Sequence, residues 1–111
     1  MYLQAIILEG CWYSTQLINV LNNNNINIDY IKVTQNNKDE YKTTNISTFP
    51  QVYLVNNKLR ILIGGYIDVN EIINIINIKN YNNIKKKISS KYKLLSNKIQ
   101  LKIIKAFIKI Q

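Results

Sequence analysis

The chain has 111 residues, 47% of them hydrophobic and 19% charged, which suits one folded domain and argues against general disorder. It contains one cysteine and no histidine, so an internal disulfide, a Cys/His zinc site and a Ser-His-Asp apparatus are excluded. The formal net charge of +9 lies at one end, because residues 1–80 carry six basic and six acidic side chains and residues 81–111 carry nine lysines and no acid. The sequence therefore predicts a neutral domain over residues 1–80 and a basic tail over residues 81–111.

The first half of the chain alternates between strand and helix patterns. The apolar run at residues 3–8 indicates a buried strand, and apolar residues at helical spacing predict a helix that begins near Tyr13 and ends at the asparagine run 22–25. Residues 26–33 alternate between apolar and polar side chains, which is typical of a strand with one covered face. Residues 36–45 are polar, with acids ahead of a lysine, and this order predicts a short exposed helix.

The second half of the predicted domain contains a hairpin and a helix. Residues 51–55 and 58–63 predict two strands joined by an Asn-Asn turn at 56–57, because asparagine tolerates positive φ. Asp68 precedes apolar residues at helical spacing, which predicts Asp68 as the N-cap, with Glu71 completing a capping box. A helix joins the first two strands, which should be parallel, and the last two should be antiparallel. The predicted fold class is therefore α/β, a mixed four-stranded sheet flanked by helices.

The tail carries a regular apolar pattern. Its apolar residues step by three or four at Ile84, Ile88, Tyr92, Leu95, Ile99, Ile103, Phe107 and Ile110. This spacing predicts one long basic amphipathic helix over residues 84–110, with its second half projecting from about Leu94. Such a helix can dock on the domain, bind an anionic membrane surface, pair with a partner helix or bind nucleic acid. The tail has no arginine or glycine for base reading, which argues against nucleic acid.

The sequence predicts neither a targeting segment nor a membrane span. Its first residues have no basic lead and only a short apolar run at residues 5–8, unlike a signal peptide. No stretch of about 18 consecutive residues is apolar and uncharged, as a membrane-spanning helix would require. We therefore expect an intracellular, cytoplasmic protein.

Three features lie where predicted strands begin or end and could carry chemistry. Cys11 follows the first strand and starts a helix, where the helix dipole and free N–H groups favour a nucleophilic thiolate; a buried structural cysteine is the alternative. Pro50 opens the third strand, either with a cis peptide bond or as an ordinary strand-start proline. Gly64 and Gly65 either allow close approach of a ligand to the backbone or simply form a turn.

Together and in this order, the three features resemble the glutaredoxin family of the thioredoxin fold. Residues 11–14, Cys-Trp-Tyr-Ser, resemble the family's active-site motif in its monothiol form. Residues 48–53, Thr-Phe-Pro-Gln-Val-Tyr, resemble its cis-proline segment, and residues 64–68, Gly-Gly-Tyr-Ile-Asp, resemble its Gly-Gly-x-x-Asp segment. The resemblance extends over residues 2 to about 78 and implies a thioredoxin-like fold.

The resemblance also implies a function. It indicates a glutathione-dependent monothiol thiol–disulfide oxidoreductase that acts on glutathionylated protein thiols. Cys11 would be the catalytic nucleophile, and Ser14 occupies the position of the resolving cysteine. The implied glutathione-binding residues are Tyr13, Phe49, Pro50, Tyr66, Ile67 and Asp68.

The sequence departs from the family pattern at two positions near the cysteine. Leu8 stands where the family usually has a lysine for the glycine carboxylate of glutathione, so Lys38 or Lys42 would have to supply that charge. Trp12 stands where the family has proline, glycine or serine, and its bulk is expected to narrow the binding groove.

Two further functions are compatible with the resemblance. Monothiol glutaredoxins of the Cys-Gly-Phe-Ser type hold a [2Fe–2S] cluster between two subunits, with one cysteine from each, here Cys11, and two glutathione molecules. Trp12 in place of glycine counts against this function. The other alternative is a catalytically degenerate thioredoxin-fold docking module that acts through its basic tail.

Overall fold

The chain forms four β-strands and four α-helices within residues 1–108, the part that this computed structural model describes. The strands are β1 (Tyr2–Leu8), β2 (Asp29–Val33), β3 (Gln51–Asn56) and β4 (Leu59–Gly64). The helices are α1 (Trp12–Asn23), α2 (Tyr66–Ile76), α3 (Tyr81–Lys91) and α4 (Asn97–Ile108). None of these helices is long and apolar enough to cross a membrane.

The strands form one mixed sheet in the order β2-β1-β3-β4. β1 pairs with β2 in parallel and with β3 antiparallel, and β3 and β4 form an antiparallel hairpin. β1 lies between two other strands, which fits its nearly continuous apolar sequence, since a central strand is covered on both faces. The predicted thioredoxin-like α/β fold is confirmed.

The two faces of the sheet are covered differently. On one face Leu3 and Ala5 belong to a large core that also includes residues of all four helices. On the other face Ile6 and Phe49 belong to a smaller cluster, against which Tyr41 packs. The predicted helix over residues 36–45 is wrong in extent, because only the four residues Lys38–Tyr41 are helical, as a 3-10 turn. This segment is mostly polar, so it has little apolar surface with which to hold a longer helix on the sheet.

Two predicted boundaries shift by a few residues. The hairpin turn occupies residues 57–58 instead of 56–57, because Asn56 pairs with Leu59 and Asn57 takes the positive φ of 56°. The N-cap of α2 is Gly65, so the prediction of Asp68 as the N-cap is wrong. Asp68 is the third helical residue, and its Oδ2 accepts a hydrogen bond from the Gly65 N–H at 2.9 Å. Helix α2 therefore begins three residues earlier than predicted, and only the half of a capping box in which the N3 side chain accepts from the N-cap N–H is formed.

The C-terminal part folds as a helical hairpin, so the prediction of one long helix over residues 84–110 is wrong. α3 ends at Lys91, α4 begins at Asn97, and Leu94 lies between them, 98% exposed. The Gln100 Nε2 donates to the carbonyl oxygens of Tyr92 and Leu95, each at 3.0 Å. These bonds tie the first turn of α4 to the segment that follows α3, and so stabilise the reversal of the chain.

The second half of the tail does not project from the domain. Ile103 and Phe107 on α4 are fully buried in the large core, together with Ile84 and Ile88 on α3. Folding back buries both parts of the apolar stripe, whereas a projecting helix would leave the second part in water. Ile110, which the predicted stripe included, lies outside the described residues.

Candidate active site

Cys11 stands at the junction between the central strand and the first helix. It is the N-cap of α1 with an extended backbone (φ −92°, ψ 123°), and Gly10 before it has a φ of 78°. The Cys11 N–H donates to the Leu8 carbonyl at 3.2 Å, and the Cys11 carbonyl accepts from the Thr15 N–H at 3.1 Å. These contacts hold the partly exposed thiol at the helix N-terminus, where unpaired N–H groups and the helix dipole favour a negative charge.

The segment around Pro50 faces the thiol. The Phe49–Pro50 peptide bond is cis, and the Cys11 Sγ donates to the Phe49 carbonyl oxygen at 3.7 Å. The buried Gln51 side chain anchors this segment, because its Nε2 donates to the Tyr41 carbonyl at 3.0 Å and its Oε1 accepts from the Tyr53 hydroxyl at 2.9 Å. Residues 38 positions apart in sequence are thus in contact.

The two glycines form the opposite wall beside the start of α2. Gly64 has a φ of 137°, and a Cβ atom at this position would collide with the Asp68 carboxylate. This carboxylate lies there because its Oδ2 accepts from the Gly65 N–H. The close approach therefore requires glycine at position 64.

All of the predicted glutathione-binding residues line one groove of about 560 Å³. They are Tyr13, Phe49, Pro50, Tyr66, Ile67 and Asp68. Cys11 adjoins the groove through its contact with the Phe49 carbonyl. Sites for small ligands typically have volumes of about 300–1,000 Å³, so the groove has room for a tripeptide.

The groove has no basic side chain among its described lining residues, and Asp68 is the only charged side chain that lines it. Leu8 packs against the cluster that contains Ile6 and Phe49. Neither Lys38 nor Lys42 lines the groove, and the Lys42 Nζ pairs with Asp39 at 2.7 Å. The replacement charge suggested for the glycine carboxylate is therefore not found at either lysine.

Trp12 does not narrow the groove. Its side chain is 62% exposed and is not among the lining residues. The ring lies edge-on to Tyr13, with centroids 5.0 Å apart, and 6.4 Å from the Tyr66 ring. The exposed rings of Trp12 and Tyr13 and the half-buried ring of Tyr66 thus form one aromatic cluster.

Ser14, at the position of the resolving cysteine, makes a hydrogen bond that holds the start of α1. It is only 2% exposed, and its Oγ accepts a hydrogen bond from the Leu8 N–H at 3.0 Å. This bond ties the start of α1 to the end of β1. The serine therefore helps to hold Cys11 in place although it offers no second thiol.

Sequence reasoning missed Lys91, the last residue of α3, and Tyr92, its C-cap, which both contact residues that line the groove. The Lys91 Nζ lies 2.8 Å from the Asp68 Oδ1 and 2.8 Å from the Glu71 Oε2. The Tyr92 hydroxyl donates to the Ile63 carbonyl at 2.8 Å. No sequence signal marks this pair, because Lys91 is one of nine lysines in the tail and lies 23 residues from Asp68.

The surroundings of Lys91 and Tyr92 shift the pKa values of both side chains. Partial burial lowers the pKa of Lys91, but the hydrogen bonds and charges of Asp68 and Glu71 outweigh burial and hold that pKa above its ordinary value. Burial and then the same two carboxylates raise the pKa of the Tyr92 phenol. Both groups are thus kept in their protonated forms by the folded structure.

The fold and the site together define a class of protein. A partly exposed cysteine at a helix N-terminus, facing the segment around Pro50 on a thioredoxin-like sheet, is a site for thiol–disulfide chemistry. A family model described as Glutaredoxin matches residues 2–60, just over half of the chain. The chain belongs to the glutaredoxin family, a family of thiol–disulfide oxidoreductases that generally use glutathione. No curated protein matches the chain.

Proposed function

We propose that the protein is a monothiol, glutathione-dependent oxidoreductase that uses Cys11 to remove glutathione from glutathionylated protein thiols. The observation that supports this most directly is the convergence of Cys11 with the predicted glutathione-binding residues on one groove. Cys11 is the single cysteine of the chain, so every step must be carried by one thiol. We expect this reaction to take place where reduced glutathione is abundant, as in the cytoplasm.

The proposed binding mode uses backbone groups more than side chains. The backbone of Phe49 would pair with the cysteinyl part of glutathione, placing its sulfur near Cys11. The first turn of α2, at Tyr66, Ile67 and Asp68, has N–H groups without intrahelical partners, which suit the γ-glutamyl carboxylate. Tyr13 would cover one side of the ligand.

The proposed reaction consists of two exchanges. The Cys11 thiolate attacks the glutathione sulfur of a protein–glutathione disulfide, so that a Cys11–glutathione disulfide forms and the substrate protein leaves as a thiolate. The thiolate of a second glutathione then attacks the sulfur of the bound glutathione. This step releases oxidised glutathione and regenerates the Cys11 thiolate. Over both exchanges one glutathione thiolate is consumed, and the disulfide passes from the substrate protein to a pair of glutathione molecules.

Mass spectrometry of the intact protein with oxidised glutathione tests this proposal. We expect one glutathione adduct on the wild-type chain and none on Cys11→Ser, with release of the adduct by reduced glutathione. Ser90→Ala, an exposed change of similar size on α3, serves as the matched control and should behave as wild type. A wild-type protein that forms no adduct would contradict the proposed function.

The two alternatives have their own readouts. A [2Fe–2S] cluster needs four thiolates, and one chain supplies only Cys11, so this function requires two chains and two glutathione molecules. Within residues 1–108, no three metal-ligating side chains come together. An orange-brown protein after anaerobic expression would support the cluster-binding alternative.

The docking alternative rests on the exposed lysine face of the tail. The apolar stripe of α3 and α4 is buried, so in this conformation a membrane surface or partner helix would meet mainly lysines such as Lys85, Lys86 and Lys98. Binding to anionic vesicles that weakens with salt, in a protein without glutathione adducts, would favour this alternative.

A further inference from the structure

The helical hairpin at the C-terminus places a lysine against Asp68, one of the residues that line the groove. Asp68 is the only charged side chain among the described residues that line the groove, and both of its carboxylate oxygens already have partners. Oδ2 accepts from the Gly65 N–H at 2.9 Å, and Oδ1 accepts from the Lys91 Nζ at 2.8 Å. The carboxylate is thus held from its own helix on one side and from α3 on the other.

Lys91 is firmly anchored in this position. Its side chain is only 16% exposed, and its Nζ also contacts the Glu71 Oε2 at 2.8 Å. The next residue, Tyr92, donates its hydroxyl proton to the Ile63 carbonyl, and Ile88 one turn earlier is fully buried. Contacts on both sides of Lys91 therefore hold its ammonium group beside Asp68. An exposed lysine on the surface would lack such contacts and would be mobile.

We propose that Lys91 is a positioning residue that sets the specificity of the groove by occupying and neutralising Asp68; this proposal rests on the proposed function. The α-ammonium of a γ-glutamyl ligand would have to share a carboxylate oxygen with Lys91 or with the Gly65 N–H, or displace Lys91. Displacement would leave the partly buried Lys91 ammonium with Glu71 as its remaining partner. The groove therefore gains little from the ligand's ammonium and recognises the γ-glutamyl end chiefly by its carboxylate.

The inference is tested with glutathione and its deamino analogue, glutaryl-cysteinyl-glycine, each as a mixed disulfide with the same peptide. The measured quantity is the ratio of kcat/KM for the two ligands. We expect the wild-type ratio to stay within about threefold. In Lys91→Met the freed Oδ1 can accept from the ammonium, and one such charge-assisted bond should raise the preference for glutathione to about tenfold.

Lys86→Met is the matched control, because Lys86 is an exposed residue of the same helix. It should keep the wild-type ratio. A purely structural role of Lys91 would lower both rates equally and leave their ratio unchanged, which would contradict the proposal. A wild-type protein that already prefers glutathione tenfold would contradict it too, and that measurement does not depend on the folding of any variant. Absence of adducts from both ligands would instead overturn the proposed function and with it this inference.

Discussion

Cys11 owes its position to contacts made by main-chain atoms on three segments. The Leu8 carbonyl holds its N–H, the Thr15 N–H holds its carbonyl, and the Phe49 carbonyl faces its sulfur. The chain contains no histidine to serve as a base, and the sulfur lies at the N-terminus of α1. Residues that fix these main-chain positions should therefore affect the position of the Cys11 sulfur even where they contact no substrate.

Ser14→Ala should lower the free energy of unfolding by about 1–2 kcal/mol, because it leaves the Leu8 N–H without its hydrogen-bond partner. Urea denaturation measures this change. Thr15→Ala removes a solvent-exposed bond to the Cys11 carbonyl and is the matched control, with an expected loss below about 0.5 kcal/mol. Equal losses in both variants would mean that the buried bond at Ser14 is unimportant.

Gly64→Ala should cost more than Gly10→Ala, although both residues have positive φ. A Cβ at Gly10 meets no atom within 4 Å, so this variant carries only a backbone penalty of about 1 kcal/mol. At Gly64 the Cβ would also collide with Asp68, so we expect a loss of about 2–4 kcal/mol and weaker glutathione binding. Thermal unfolding and adduct formation measure the two effects. Similar melting temperatures for the two variants would contradict the predicted collision.

At the scale of elements, α3 is joined to the start of α2 and the end of β4 by two neighbouring side chains. Lys91 pairs with Asp68 and Glu71 on α2, and Tyr92 bonds to Ile63 on β4. These elements form the wall of the groove, so the attachment of α3 and the shape of the groove depend on the same contacts. The family match ends at residue 60, before this wall begins.

The contacts of Lys91 and Tyr92 should make the stability of the protein sensitive to alkaline pH. The folded state raises the pKa of Lys91 above 10.5 and that of Tyr92 above 10.0. Both groups therefore stabilise the fold below those ordinary values, and the stability is lost as the pH rises through the higher folded values. We expect the free energy of unfolding to fall above about pH 10.

Urea denaturation between pH 8 and pH 11 measures this dependence. Lys91→Met combined with Tyr92→Phe should make the dependence shallower. Tyr30, whose pKa burial also raises, still titrates in this variant. Lys86→Met, on the exposed face of the same helix, is the control and should keep the wild-type slope. An unchanged slope in the double variant would place the alkaline sensitivity elsewhere in the molecule.

At the scale of the whole molecule, we propose that residues 81–108 are an integral part of the fold instead of an attachment to a complete domain. Five of their apolar side chains are almost fully buried in the core that the sheet and α2 share. They are Ile84, Ile88, Ile103, Ile104 and Phe107. Burial of one such side chain contributes about 1.5–3 kcal/mol, so the set is comparable with the whole stability of a small domain.

Truncation after Lys79 should therefore leave a chain that melts far lower than the full protein or fails to unfold cooperatively. Phe107→Ala tests the same packing with a smaller change and should cost about 3–5 kcal/mol. Leu94→Ala, at a side chain that is 98% exposed, is the matched control and should leave the melting temperature unchanged. A truncated chain with the stability of the full protein would contradict the proposal.

Local patterns were sufficient to predict the sheet, the first helix and the three motifs of the site. The strands show apolar runs or period-two alternation, and α1 follows from helical spacing, so each depends on neighbours a few residues away. The motifs at Cys11, Pro50 and Gly64 are equally local, and the resemblance they carry predicted the lining of the groove. Boundaries shifted where one side chain decided them, as at Asp68, which reaches back to Gly65.

The tertiary structure alone decided where the tail turns back and how it packs on the domain. The apolar spacing of residues 84–110 is the same for one long helix and for two shorter ones, so periodicity cannot show where the chain turns back. The Gln100 side chain stabilises the turn locally, but the core in which Phe107 is buried exists only once the domain is folded. The pairing of Lys91 with Asp68 follows from that packing, because a contact across 23 residues depends on where helices lie and not on the residues around either partner.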